Sequence, residues 1–221
     1  MAMTLAPRRY GGQVQRTPPF VRRPALISSV LAPVFFIGGT LVAEALSPGF
    51  DPVRQTISEL AAVDAPTRVF MTLMFVLTGV CHLITAGYTP GLWLPGRIAL
   101  GLAGVALFAV AAFPLPAEGS SPEHRLAAMA GFVLLALWPV LSMRLGRKYP
   151  WLPRPARAVL STLVVGAACV AFAWIEAQPD STLVGLAERV AAYLESAWPA
   201  VVVLVLWRHQ RRERGASLSA R

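Results

Sequence analysis

Six long apolar runs separated by short polar connections set the pattern of this chain, at about residues 25–46, 68–88, 98–116, 124–143, 157–177 and 187–207. Within each run apolar side chains occupy every helical face, without the alternation that a barrel strand needs over about ten residues. A hydrocarbon core about 30 Å thick takes about 20 helical residues to cross, and it offers an unpaired backbone group no water. The pattern therefore predicts an all-α integral membrane protein, a six-transmembrane-helix bundle. The membrane domain is expected over residues 25–207, between a tail at 1–24 and a tail at 208–221. No repeat at a fixed period points to an array or to a two-halved transporter.

The first connection breaks the apolar pattern most sharply. In DPVRQTISEL, residues 51–60, Asp51 and Pro52 have the form of a helix start, with an acceptor at the cap and a preset φ at the first helical position. Val53, Ile57, Leu60 and Ala61 then recur at helical spacing, opposite Arg54, Gln55, Ser58 and Glu59. This spacing predicts a short extracytoplasmic surface helix between the first two spans, lying with its apolar side on the bundle. Asp64 and Pro66 restart the chain into the second span. As a purely solvated cap, the segment needs no chemistry.

Composition agrees with the pattern: 56% of residues are hydrophobic and only 14% charged. The net charge of +9 does not mark a nucleic-acid binder, because its placement follows the spans. Sixteen of the 20 basic residues fall in the two tails and in the 89–97 and 144–157 connections; Arg54, Arg68, Arg125 and Arg189 lie at the opposite face. Ten of the 11 acids lie at that opposite face or in the adjoining halves of the spans. Lys and Arg bias in short loops sets orientation, so both termini are expected in the cytoplasm of a multi-pass protein of the cell (inner) membrane. Basic tails of this kind meet anionic lipid. Ala43-Glu44-Ala45 imitates a signal cleavage site, but the preceding run is longer than the usual apolar core of about 7 to 15 residues.

The outer face gathers the candidate chemistry. Arg54, Ser58 and Glu59 belong to the first connection, His124 opens the fourth span, and Glu188 and Arg189 open the sixth. Glu195 lies two turns below Glu188 on the same helical face, which carries it into the membrane. A carboxylate there is costly unless it is paired, protonated or facing a wet cavity. Together these residues form the predicted outer polar pocket. The expected pairing joins Arg54 to one of the acids and Glu59 to His124 or Arg189, with Glu195 as the deep contact. His124, Arg125, Glu188 and Arg189 are the available partners at the ends of the fourth and sixth spans.

DPVRQTISEL after the first span, Phe113-Pro114 closing the third, His124 opening the fourth and GLAER at 185–189 resemble the prokaryotic membrane family called domain of unknown function 998. The resemblance covers about residues 25–207. It implies six spans and functional weight on the outer motifs, and it implies no reaction.

Metal and cofactor chemistry find little support in the sequence. Of the three histidines, His209 lies in the C-terminal tail, while His82 and His124 are expected near opposite faces and cannot share an ion. Cys81 and Cys169 fall inside spans as core residues. No cofactor and no metal are predicted. His82, deep in the second span, reads as a neutral histidine bonded across the bundle or a member of a proton relay. Ser58, Glu59 and His124 invite a nucleophile, acid and base reading. Against it, no G-x-S-x-G turn is present, and neighbours in a helix diverge by about 100°. Pro139 and Pro199 are expected to bend the fourth and sixth spans. The preferred function is a pocket at the outer face for a lipid head group, a small molecule or a partner protein. The alternatives are a membrane-embedded enzyme acting on a lipid or isoprenoid through a buried acid such as Glu195 or Glu59, and a small-molecule transporter.

Overall fold

The structure, a computed structural model, describes residues 20–117, 121–145, 150 and 153–219. Most of the expected N-terminal tail, together with Arg147 and Lys148, lies outside the described residues. Among those described, six helices are long and apolar enough to cross a membrane, with mean hydropathies of 1.6 to 2.2 over their most apolar stretches. They are α1 (Arg23–Ala45), α2 (Arg68–Tyr88), α3 (Leu94–Ala112), α4 (Pro122–Leu141), α5 (Pro155–Glu176) and α6 (Val184–Ser219). No strand occurs among the described residues, and the chain is an all-helical, multi-pass membrane protein.

Proline punctuates these helices in two ways. At the first turn of α1, α3, α4 and α5 it supplies a preset φ where no N–H is needed. Inside helices it disturbs the ladder. Pro33 precedes a wide π turn over Val34–Gly38 in α1, since the ring removes a donor and crowds the turn before it. Pro139 sits within the continuous α4, and the next residue, Val140, donates its N–H to Thr162 Oγ1 of α5 at 3.1 Å. A neighbouring helix thereby satisfies a backbone group beside the proline, which is how membrane helices tolerate one.

Each helix packs on its neighbour in sequence, and α6 returns to α1, so the bundle closes into a ring, with α4 also meeting α6. Small residues allow the closest approach. A Cβ at Gly79 of α2 would sit 2.7 Å from both the Gly104 carbonyl and the Phe108 ring of α3. Without a solvent-driven hydrophobic force between helices, such close backbone packing holds a membrane bundle together. Large apolar side chains such as Val69, Leu126, Leu163, Val170 and Trp174 point outward, as a lipid-facing surface requires. Polar Thr78, His82, Thr85, Glu195 and Ser196 point inward.

Two elements differ from the sequence-based expectation. Helix α6 continues past residue 207 to Ser219, through Arg208, Gln210, Arg211 and Arg212, which are good helix formers. Gln210 is buried and exchanges hydrogen bonds with Val21, donating to its carbonyl at 3.2 Å and accepting from its N–H at 3.0 Å. The C-terminal segment thus begins as a docked helix. The second difference is in the first connection, where the predicted amphipathic surface helix is replaced by turns and a four-residue 3-10 helix, Ser58–Ala61.

Candidate functional site

The turn structure of residues 51–61 follows from its own side chains. Asp51 Oδ1 accepts from Val53 N at 2.9 Å, and the Asp51 carbonyl accepts from Gln55 N at 2.7 Å, so a turn begins as the sequence suggests. It stops because Glu59 starts a second one. Glu59 accepts from Thr56 N at 2.9 Å and Thr56 Oγ1 at 3.1 Å, the glutamate half of a Thr-x-x-Glu cap, and from Gln55 Nε2 at 2.9 Å. A cap at Thr56 ends one turn and begins the next. Ile57 and Leu60 then insert into the bundle, each 1% exposed.

Helix α6 clamps this strap. Glu188 Oε2 accepts the N–H of Ile57 at 2.6 Å, and Leu186 N donates to the Val53 carbonyl at 3.0 Å. Gly185 is required at the crossing, since a Cβ there would run into the carbonyls of Gln55 and Pro52. Arg189, buried, donates from Nε to Glu44 Oε1 at 2.7 Å, from Nη1 to the Gln55 carbonyl at 2.7 Å and to Gly185 O at 2.9 Å. Its guanidinium also lies 5.5 Å from the centre of the Phe50 ring. One cation therefore ties α1, the strap and α6 together.

Of the expected pairing, Arg54 does meet an acid, though a neighbouring exposed one, and the Glu59 half is corrected. Arg54 meets Asp51 at 3.6 Å, with both side chains largely exposed, and takes no part in the buried network. Glu59 reaches neither His124 nor Arg189; its oxygens accept from Thr56 and Gln55, and it borders a second cleft with Gln55 and Asp64. Arg189 takes Glu44 instead. Arg125 is exposed.

Ser58 and His124 do come together. His124 Nε2 lies 2.9 Å from Ser58 Oγ, and its Nδ1 lies 2.8 Å from the Phe113 carbonyl at the end of α3. The backbone here is fixed by Ser121, the N-cap of α4, whose Oγ accepts from His124 N at 3.1 Å. Phe113 and His124, eleven residues apart, thus form one hydrogen-bonded corner with Ser58, 66 residues from His124.

Beneath the strap lies a cavity of about 70 Å³ between α2, α3, α4 and α6. Its walls are mostly apolar, including Phe36, Phe75 and Phe132, and its polar groups are Ser58, Thr78, His82, Glu188, Glu195 and Ser196. Glu195 is 3% exposed and accepts from Cys169 Sγ of α5 at 3.1 Å. Ser196 Oγ and His82 Nδ1 are buried without a protein partner. Of the predicted site residues, Ser58, Glu188 and Glu195 line this cavity, His124 and Arg189 brace its roof, and Arg54 and Glu59 lie outside it. Glu44, Gln55 and Cys169 join the network without having been predicted; Glu44 at the end of an apolar run was the one with a visible signal. Among the described residues no group of His, Cys, Asp and Glu could hold a metal ion.

No curated protein and no solved structure matches the chain. A family model described as "Protein of unknown function (DUF998)" matches residues 30–205, which contain the strap, the Phe113 to His124 corner and the α6 clamp. Since that match spans most of the sequence, the chain belongs to the DUF998 family.

Proposed function

We propose that the protein binds a small amphiphile at the outer face of the cell (inner) membrane, with both termini in the cytoplasm. The apolar part of the ligand lies against Phe36, Phe75 and Phe132, and a hydroxyl or amine head meets Glu195 and Ser196. One observation carries this reading: polar groups with no partner, Ser196 Oγ and His82 Nδ1, border the same apolar cavity as two buried carboxylates, Glu188 and Glu195. Buried polar groups left without partners cost free energy, and a ligand with a donor head would recover it. The strap held by Glu188 and Arg189 serves as the lid.

Native mass spectrometry of the gently purified chain tests the reading. Adducts of defined mass are expected, and Glu195→Gln should lower their occupancy about tenfold, the loss of one hydrogen bond. A wild-type chain free of adducts in both mild detergent and lipid nanodiscs would rule the reading out. Orientation rests on the basic asymmetry and is tested separately. A cysteine at the exposed Asp64 should react with an impermeant reagent added to intact cells, and one at the exposed Arg212 should not.

A further inference from the structure

We propose that Ser58 and His124 are a nucleophile and its base, and that they cleave a carboxylic ester of an amphiphile held in the cavity. The inference rests on the amphiphile-binding reading of that cavity. It starts from a tautomer. The Phe113 carbonyl can only accept, so His124 Nδ1, 2.8 Å away, carries the proton. Nε2 therefore presents its lone pair, and the hydroxyl of Ser58 at 2.9 Å must be the donor. A serine hydroxyl directed into the lone pair of an imidazole whose other nitrogen is held by a third group is the arrangement that activates the oxygen.

The three parts come from three elements: Ser58 from the 3-10 helix of the strap, His124 from the first turn of α4, and Phe113 from the end of α3. His124 is 5% exposed, whereas Ser58 is half-buried and lines the cavity beside Phe75, Phe132 and Glu188. A buried base and a reachable nucleophile face a mostly apolar space. Glu59, next to Ser58 in sequence, does not orient the ring, because Thr56 and Gln55 engage its oxygens. The orienting group is a neutral carbonyl, which stabilises an imidazolium less than a carboxylate does, so turnover should be slow.

The chemistry balances with water as co-reactant. Ser58 Oγ attacks the ester carbonyl carbon while its proton passes to His124 Nε2. The tetrahedral adduct collapses, the bond to the leaving oxygen breaks, and that oxygen takes the proton from His124 and departs as an alcohol. Water then attacks the acyl group on Ser58, giving a proton to Nε2, and the carboxylic acid leaves as Ser58 regains its hydrogen. Nothing is oxidised or reduced.

The test treats the full chain in detergent with a short-chain and a long-chain fluorophosphonate, locates any adduct by peptide mass spectrometry, and follows hydrolysis of an aryl ester. One adduct per chain at Ser58 is expected, with labelling and hydrolysis lost in Ser58→Ala. In His124→Gln both should fall by about 10² to 10⁴-fold, the usual contribution of a general base. Ser58→Ala should elute as the same monodisperse species as wild type, which separates loss of chemistry from loss of fold. A wild-type chain unlabelled by both probes overturns the proposal, as does labelling that persists in Ser58→Ala. An unlabelled chain that still carries its amphiphile leaves the pocket standing without the dyad. A labelled chain that carries no amphiphile leaves the dyad standing without the pocket.

Discussion

Arginine does different work at the two ends of this bundle. At the end where α1 begins and α2 finishes, Arg97 donates to the carbonyls of Ala86 at 2.8 Å and Gly87 at 3.1 Å, and Arg144 donates to those of Pro90, Gly91 and Leu92 at 2.8 to 3.2 Å. These are the carbonyls at and just beyond the end of α2, and cations belong there both as donors and by the sign of the helix dipole. At the opposite end Arg189 also takes carbonyls, but it is buried against Glu44, 145 residues away in sequence, and it holds a strap over a cavity. The first use closes a helix end; the second makes a buried charge depend on a partner from another helix. A buried pair is a weak source of stability but a strong constraint, because losing one member strands the other. The constrained end is therefore the one whose geometry has to be maintained, and it is the end that carries the cavity.

Removing either member of the buried pair gives the largest expected effect. Arg189→Ala and Glu44→Ala should each destabilise the detergent-solubilised protein by about 3 to 5 kcal/mol, and the double mutant should cost clearly less than their sum. Thermal unfolding of the four proteins measures this, and additive losses would show that the two are not partners. Gly185→Ala comes next, at about 1 to 3 kcal/mol, because the new methyl group must push the Gln55 and Pro52 carbonyls away. It should also raise protease sensitivity within residues 50–60. At the Arg97 end Arg144→Ala should cost about 1.5 to 3 kcal/mol, in the range for hydrogen bonds to a charged group, without affecting the strap. A loss as large as that of Arg189→Ala would break the contrast between the ends. Glu59→Ala removes a turn cap and should cost about 1 kcal/mol. Arg54→Ala, on an exposed pair, should stay within about half a kcal/mol by the same unfolding assay.

How far the site was legible depends on how local its parts are. Asp51 and Pro52 announce a turn correctly, because capping acts within three residues. The same local reading overextends that turn into a surface helix, because Val53, Ile57 and Leu60 have helical spacing whether or not the ladder continues. What ends it is a competing local bond, Glu59 to Thr56, that was readable as Thr-x-x-Glu. That bond also explains the wrong partner for Glu59: a carboxylate held to its own turn is not carried across to a distant histidine. The resemblance brought forward the right motifs, DPVRQTISEL, Phe113-Pro114, His124 and GLAER, and three of these four meet at the strap through Ser58, Phe113 and His124, while GLAER clamps it through Gly185, Glu188 and Arg189.

By itself the sequence determined six apolar helices, the segregation of acids from bases and the polar character of one connection. Hydrophobic transfer and helix geometry act on each segment almost independently, so a run of apolar residues declares itself without knowledge of its neighbours. Only the tertiary structure decided that Arg189 chooses Glu44 over Glu59, that Ser58 rather than Glu59 faces His124, and that α6 continues to dock Gln210 on Val21. Each of those contacts joins residues 66 or more apart and is settled within a few tenths of an ångström by the packing of several helices. An ion pair or a histidine tautomer follows from which polar atom lies within hydrogen-bond distance when the bundle closes, and the periodicity of one segment does not contain that distance.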